Sequence, residues 1–165
     1  MATAIFVGSF DPFTIGHQSV VDRALPLFDR LVIGVGVNER KQCMFTAEQR
    51  VEAIRQLYAH DARVVVDSYA DLTISFAHRH QAAFVVKGVR NVRDFEYERE
   101  QADINRRLSG LETLLLYAEP GLDSISSSMV RELAHFGQDV SAFIPKPPVD
   151  ACKSPVDDCK ANEEK

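Results

Sequence analysis

Cysteine is scarce in this 165-residue chain, and its odd number, Cys43, Cys152 and Cys159, shows no paired zinc-type spacing. Two of the three lie in a polar C-terminal stretch where a disulfide would have little to staple, so a reduced cytoplasmic setting is expected. No apolar run approaches the roughly 18 residues that span a bilayer. The N-terminus has no basic stretch followed by a long apolar one, so no secretory signal is expected. Positive charge is in deficit: 19 Lys and Arg against 24 Asp and Glu leave a net charge of −5. That argues against a general nucleic-acid or membrane-surface binder. Small anionic substrates stay open, because a few convergent cations make a local positive pocket. Also missing are a Ser or Cys placed with a His–carboxylate pair, a His/Glu or Cys cluster of metal-ligand spacing, and any internal repeat. Gly34-Val35-Gly36 lies inside an apolar run and opens no helix, so it is not a dinucleotide fingerprint.

What is present begins with an ordinary balance, 45% apolar and 26% charged, enough for one compact domain with a proper core. The stretch around which the rest is organised runs from Thr3 to His17. Ile5-Phe6-Val7 is an apolar strand, Gly8-Ser9 ends it, and Asp11-Pro12 turns the chain. His17 then opens a helix whose apolar positions Val20, Val21, Ala24, Leu25 and Phe28 share one face. A strand, a tight loop and a helix start aim free N–H groups at one spot, where a phosphate can sit. Gly16, placed just before the helix, removes a Cβ that would hold an anion away. His17 on the first turn can donate to a phosphate oxygen.

Strand and helix patterns alternate along the chain. Strands are expected at Leu31–Val37, Arg63–Asp67, Ala83–Lys87 and Thr113–Ala118. Helices follow each. Thr46 with Gln49 forms a capping box for one that buries Val51, Ile54 and Leu57, with Tyr58 beside it. Asp71 caps a helix to about His80, and Asp94 caps a long charged one to about Ser109. Ile125-Ser126-Ser127-Ser128 leads a helix to about Phe136, and Asp139 caps a last short one to Ile144. The pattern defines an α/β fold: one Rossmann-like domain with a five-stranded parallel sheet and helices on both faces. The domain spans residues 1–148, and 149–165 form a polar tail expected to be disordered.

In such a sheet ligands bind beyond the C-terminal strand ends. Ser9, His17, Lys41, Asp71 to Thr73, Lys87, Gly88, Arg90 and Ser126 to Ser128 all follow strands and land on that rim. Several cations around one crevice, with a second helix start at the serines, suit phosphoryl or nucleotidyl transfer without a covalent enzyme intermediate. Spacing alone leaves other readings. Lys41 beside Arg40 also reads as a solvated loop charge, and Arg90 as a partner of Asp94 or Glu96. Ser126 to Ser128 also read as a plain N-cap, and Glu98 as a helix ion-pair residue.

Four blocks carry a family resemblance. They are Gly8-Ser9-Phe10-Asp11-Pro12 with Thr14-x-Gly16-His17; Lys41 followed by Met44-Phe45-Thr46; Lys87-Gly88-Val89-Arg90 running into Asp94-Phe95-Glu96-Tyr97-Glu98; and Ile125 to Ser128 followed by Val130-Arg131-Glu132. With Asn105-Arg106-x-Leu108, they make residues 4 to about 144 similar to the bacterial pantetheine-phosphate adenylyltransferases. The resemblance implies transfer of AMP from ATP to 4′-phosphopantetheine with Mg²⁺, giving dephospho-coenzyme A and pyrophosphate. It implies that His17 stabilises the transition state. Ser9, Lys41, Thr73 and Lys87 would meet phosphopantetheine. Ser9, Phe10, His17, Gly88, Val89, Arg90, Glu98, Leu122, Asp123, Ser124, Ile125, Ser126, Ser127 and Ser128 would hold ATP. No protein metal ligand is implied. A homohexamer and feedback inhibition by coenzyme A are also implied, and the thin apolar seam Tyr97, Ile104, Leu108 on a charged helix independently reads as an interface. Ser9 and Lys87 stand where the family more often has threonine and arginine; the lysine keeps the charge and loses the bidentate fork. The alternatives are a related transferase acting on nicotinamide mononucleotide or a sugar or glycerol phosphate, and a non-catalytic nucleotide sensor.

Overall fold

The computed structural model describes residues 1–38 and 42–147. Lys41, and the tail expected to be disordered, lie outside the described residues. Strands β1 (Thr3–Gly8), β2 (Arg30–Gly36), β3 (Val64–Tyr69), β4 (Phe84–Val89) and β5 (Glu112–Tyr117) pair in parallel in the order β3-β2-β1-β4-β5. Helices α1 (Ile15–Ala24), α2 (Ala47–Leu57), α3 (Thr73–Arg79), α4 (Val92–Ser109) and α5 (Ser127–His135) follow the successive strands.

β1 takes the centre because both of its faces are apolar. Ala4 and Phe6 join Val20, Val21, Ala24, Val51, Ile54 and Leu57 of α1 and α2 in one core. Ile5 and Val7 join Phe76 and Ala77 of α3 in the other. Alternate residues of one strand thus feed two cores, and the helices lie on both faces as expected. Gly34 has a specific reason to be glycine. A Cβ there would lie 2.5 Å from the Phe76 ring, so its absence makes room for the α3 phenyl against the sheet.

The chain moves outward from β1 to β2 and β3, then returns to the other side of β1 for β4 and β5. The reversal leaves a crevice at the C-terminal ends of β1 and β4, the natural binding position in such a sheet.

Local details correct several expectations. The helix expected to open at His17 begins at Ile15 with Thr14 as its N-cap, so Gly16 sits within the first turn rather than before it. A Cβ there would meet Thr14 Oγ1 and the Ile125 and Leu122 carbonyls at 3.6, 3.7 and 3.9 Å, ordinary contact distances, so the first turn of α1 lies against the 122–125 segment. Asp71 does not cap α3. It pairs with Arg79 at 2.5 Å, and the N-cap position falls on Leu72, whose side chain accepts no cap hydrogen bond. Asp94 does not cap α4 either; Asn91 does, by accepting from the Asp94 backbone N–H at 2.9 Å, and Asp94 lies in the first turn. The last short helix is a single 3₁₀ turn, Ser141–Phe143, with Asp139 accepting from the Ser141 N–H at 2.9 Å. The Thr46–Gln49 capping box forms as expected.

Candidate active site

Two cavities open at the crevice. The smaller, about 380 Å³, is lined by Ser9, Phe10, His17, Lys87 and the start of α5, among others. The larger, about 820 Å³, is walled by Gly36, Val37, Asn38, Cys43, Tyr69, Asp71 and Thr73 on one side and Tyr97, Gln101 and Asn105 of α4 on the other. Val7, Gly8, Ser9 and Lys87 belong to both, so the β1 end and one amine mark the junction.

His17 is held by its own helix. The Thr14 backbone N–H donates to His17 Nδ1 at 3.0 Å, and Thr14 Oγ1 lies 3.0 Å from the same nitrogen. In return Thr14 Oγ1 accepts from the His17 N–H at 3.4 Å. This is a capping box with histidine in the place usually taken by glutamate. Because Nδ1 accepts, the ring proton resides on Nε2. Phe10 packs edge-on against the imidazole at 5.1 Å and Phe13 lies 5.4 Å away. Burial among these rings, with the Arg90 charge acting in the same direction, lowers the His17 pKa to about 4. At neutral pH the side chain is therefore an uncharged donor. Phe10 takes this place at φ 47°, a conformation that costs a non-glycine residue about 1–2 kcal/mol.

Lys87 on β4 is half-buried and pairs with Glu98 of α4, Nζ to Oε2 3.1 Å. Arg90 forms a two-pronged contact with Asp94, 2.8 Å from Nε and 3.2 Å from Nη2. The serine run divides its work. Ser126 Oγ caps α5 by accepting from the Met129 N–H at 3.1 Å, and Ser127 Oγ donates to the Pro12 carbonyl at 2.8 Å. Ser128 Oγ accepts from Arg131 at 3.2 Å. With the hydroxyls so used, the helix start itself, with the Ser127 and Ser128 N–H groups lacking an intrahelical partner, is the anion-attracting element.

The structure thus brings Ser9, Phe10, His17, Lys87, Gly88, Val89, Arg90, Glu98, Leu122, Ile125, Ser126, Ser127 and Ser128 to one cavity. Thr73 lines the adjoining one. Asp123 and Ser124 line neither, and Lys41 lies outside the described residues. Sequence reasoning missed Thr14 as the residue that orients His17. The signal was available, since a threonine three positions before a polar residue at a helix start is a capping-box pattern. It also missed Arg131, which lines the cavity and donates to the Asp11 carbonyl at 2.6 Å.

A crevice at the reversal of a parallel sheet, with two helix starts and a neutral imidazole donor, suits phosphate-bearing ligands of the kind an α/β nucleotidyltransferase handles. Residues 5–133 match the cytidylyltransferase-like family model, which places the chain in that class. The phosphopantetheine adenylyltransferase of Phocaeicola vulgatus is 58% identical over 146 residues, covering 88% of this chain and 97% of the relative. That of Bacteroides fragilis is 55% identical over the same coverage. The chain belongs to the phosphopantetheine adenylyltransferase family. Its fold also matches a bifunctional NMN adenylyltransferase/ADP ribose pyrophosphatase from Francisella tularensis, with a TM-score of 0.68 at 15% identity. That match covers 87% of this chain, which spans under half, 44%, of the other.

Proposed function

We propose that this enzyme transfers AMP from MgATP to 4′-phosphopantetheine by direct in-line attack, releasing dephospho-coenzyme A and pyrophosphate. The observation that carries the reading is the meeting of two cavities at Ser9 and Lys87. ATP occupies the smaller cavity, held by Ser9, Phe10, Gly88, Val89, Arg90, Glu98 and the segment Leu122 to Ser128. Its phosphates lie toward the starts of α1 and α5, and its Mg²⁺ arrives with them. Phosphopantetheine occupies the larger cavity with Ser9, Lys41, Thr73 and Lys87 as its contacts.

The acceptor phosphate is already anionic at neutral pH, so the reaction asks for no general base. What it requires is alignment of two anions and stabilisation of charge as it builds on the α-phosphate. Neutral His17, donating from Nε2, fits the second task. Lys87 at the junction fits the first: it screens the repulsion between the phosphates, at the cost of loosening its pair with Glu98. Lysine in place of arginine supplies this as a single point charge.

The unpartnered face of α4 supports a homohexamer, and the larger cavity offers coenzyme A a place to compete as feedback inhibitor. Residues 1–148 form the catalytic domain, with 149–165 as an appended polar tail. No described helix is long and apolar enough to cross a membrane, and a cytoplasmic location fits the cysteine usage. Incubating the protein with ATP and Mg²⁺ plus each acceptor tests the assignment. Pyrophosphate release is expected with 4′-phosphopantetheine. Product only with nicotinamide mononucleotide or glycerol phosphate overturns the acceptor, and tight ATP binding without turnover on any of them indicates a sensor.

A further inference from the structure

Arg50 is the one charged residue of α2 that is buried, 5% exposed, among Val51, Ile54 and Leu57. A cation removed from water is costly unless its donors are met. Here the partners are backbone carbonyls from three separate places. Nη1 donates to the Ser9 carbonyl and, at 3.1 Å, to that of Gly36. Nε is shared between the Phe45 and Thr46 carbonyls, at 3.2 and 3.3 Å. Among the described residues Arg50 forms no salt bridge.

Two of those carbonyls, from Ser9 and Gly36, belong to residues that line the larger cavity. Ser9 closes the β1 end, and Gly36 begins the wall that continues through Val37 and Asn38. Phe45 and Thr46 follow Cys43, which lines the same cavity. Asp11 reinforces the junction from the other side, since its carboxylate accepts from the Met44 and Phe45 N–H groups at 2.8 and 2.9 Å. One guanidinium thereby fixes how far the end of β1 stands from the end of β2 and the start of α2. Arginine suits this because a planar fork reaches several carbonyls at once, whereas an ammonium is one compact point.

We propose that Arg50 is a positioning residue for the acceptor: it sets the width of the larger cavity by clamping Ser9, Gly36 and the Phe45–Thr46 turn, without touching substrate. The proposal rests on the reading that this cavity takes 4′-phosphopantetheine. Of its anchors, Ser9 lines both cavities and Gly36 lines the larger alone, so its loss weighs more on the acceptor than on ATP.

The test is steady-state kinetics of the full chain with Arg50→Met and Arg50→Lys, alongside circular dichroism and thermal melts. Arg50→Met is expected to raise KM for 4′-phosphopantetheine roughly tenfold or more, with KM for ATP moving less than about threefold, because displacing an anchor by a fraction of an ångström misaligns one substrate. Arg50→Lys, which retains one or two of the bonds, is expected to fall between wild type and Arg50→Met. Equal rises in both KM values, or an acceptor KM unchanged in a folded variant, overturn the proposal. If Arg50→Met does not fold, the acceptor KM of Arg50→Lys decides alone. A wild-type chain that neither binds nor turns over 4′-phosphopantetheine removes the underlying reading and this proposal with it. A wild-type chain that does both, with variants of unchanged KM, removes only the role of Arg50.

Discussion

Helices α1 and α4 supply opposite walls of the crevice, and they are built on different principles. α1 is short, buries Val20, Val21 and Ala24, and closes its first turn with a reciprocal Thr14–His17 box. α4 is 18 residues long and buries none of them. It relies on the Asn91 cap, a left-handed Gly110 at its end, and exposed pairs such as Arg107–Asp103 at 3.0 Å. Such pairs are worth little in water. Tyr97, Ile104 and Leu108 are each at least half exposed, with Val92 and Tyr117 also uncovered nearby. One wall is thus fixed by the chain's own core, while the other carries apolar surface that the chain alone does not cover. The first wall carries the His17 imidazole on a buried frame, and the second leaves its apolar seam exposed in the single chain.

The sharpest way to break this contrast is to remove the donor from the rigid wall. His17→Ala is expected to lower kcat by roughly 10²- to 10³-fold, the scale of one transition-state donor, with ATP affinity much less affected. Isothermal titration beside turnover assays separates the two, and an unchanged kcat would take His17 out of the chemistry.

Next in size is a matched pair of truncations. Val21→Ala in α1 is expected to cost about 2 kcal/mol in denaturant unfolding, from lost burial and the cavity left behind. Leu108→Ala in α4 is expected to cost the separated chain under about 0.5 kcal/mol, while shifting the sedimentation profile toward smaller species. A Leu108 variant that unfolds like the Val21 variant with no change in association would erase the distinction.

Thr14→Val keeps the shape and removes the cap oxygen. It is expected to cost about 1 kcal/mol of stability. Its kcat should fall only severalfold, because the Thr14 N–H still holds Nδ1. Lys87→Arg is gentler still: charge persists at the junction, and activity is expected to stay within about tenfold of wild type. Complete loss would mean that the compact ammonium has a role of its own.

The smallest effect is read by pH. The His17 pKa is lowered to about 4 in the folded protein, below its ordinary value of 6.5. The unfolded chain therefore binds the extra proton first as pH falls. The contribution of the neutral ring to stability is complete above pH 6.5 and is lost as pH drops from there toward 4. Following the imidazole resonances of His17 in the ligand-free protein should show a midpoint near 4. A midpoint at 6.5 would mean that the phenyl rings do not exclude water from it.

The strands and most helices could be read from apolar periodicity because each buries a regular stripe against the sheet, as β1 and the Val51–Ile54–Leu57 face do. The caps at Asp71 and Asp94 were misread for one reason. An acidic residue near a helix start satisfies the same local pattern whether it caps, precedes the cap as Asp71 does, or sits in the first turn as Asp94 does, and only the backbone geometry separates these cases. The rim residues were legible because a parallel sheet brings every strand's C-terminal end to one edge. Arg50 was not, since a charged residue on an amphipathic helix ordinarily faces water, and only the surrounding carbonyls show why it is buried.

Periodicity, turn residues and the ordered motif blocks were enough by themselves to specify a parallel α/β domain of a nucleotidyltransferase family with His17 at a helix start, because these are local properties of the chain. Tertiary structure alone decided that Nδ1 of that histidine accepts, that the phenyl rings keep it neutral, and that Lys87 stands between two cavities. Each of those depends on groups far apart in sequence and a few ångströms apart in space, where dielectric and hydrogen-bond geometry, rather than residue type, set the chemistry.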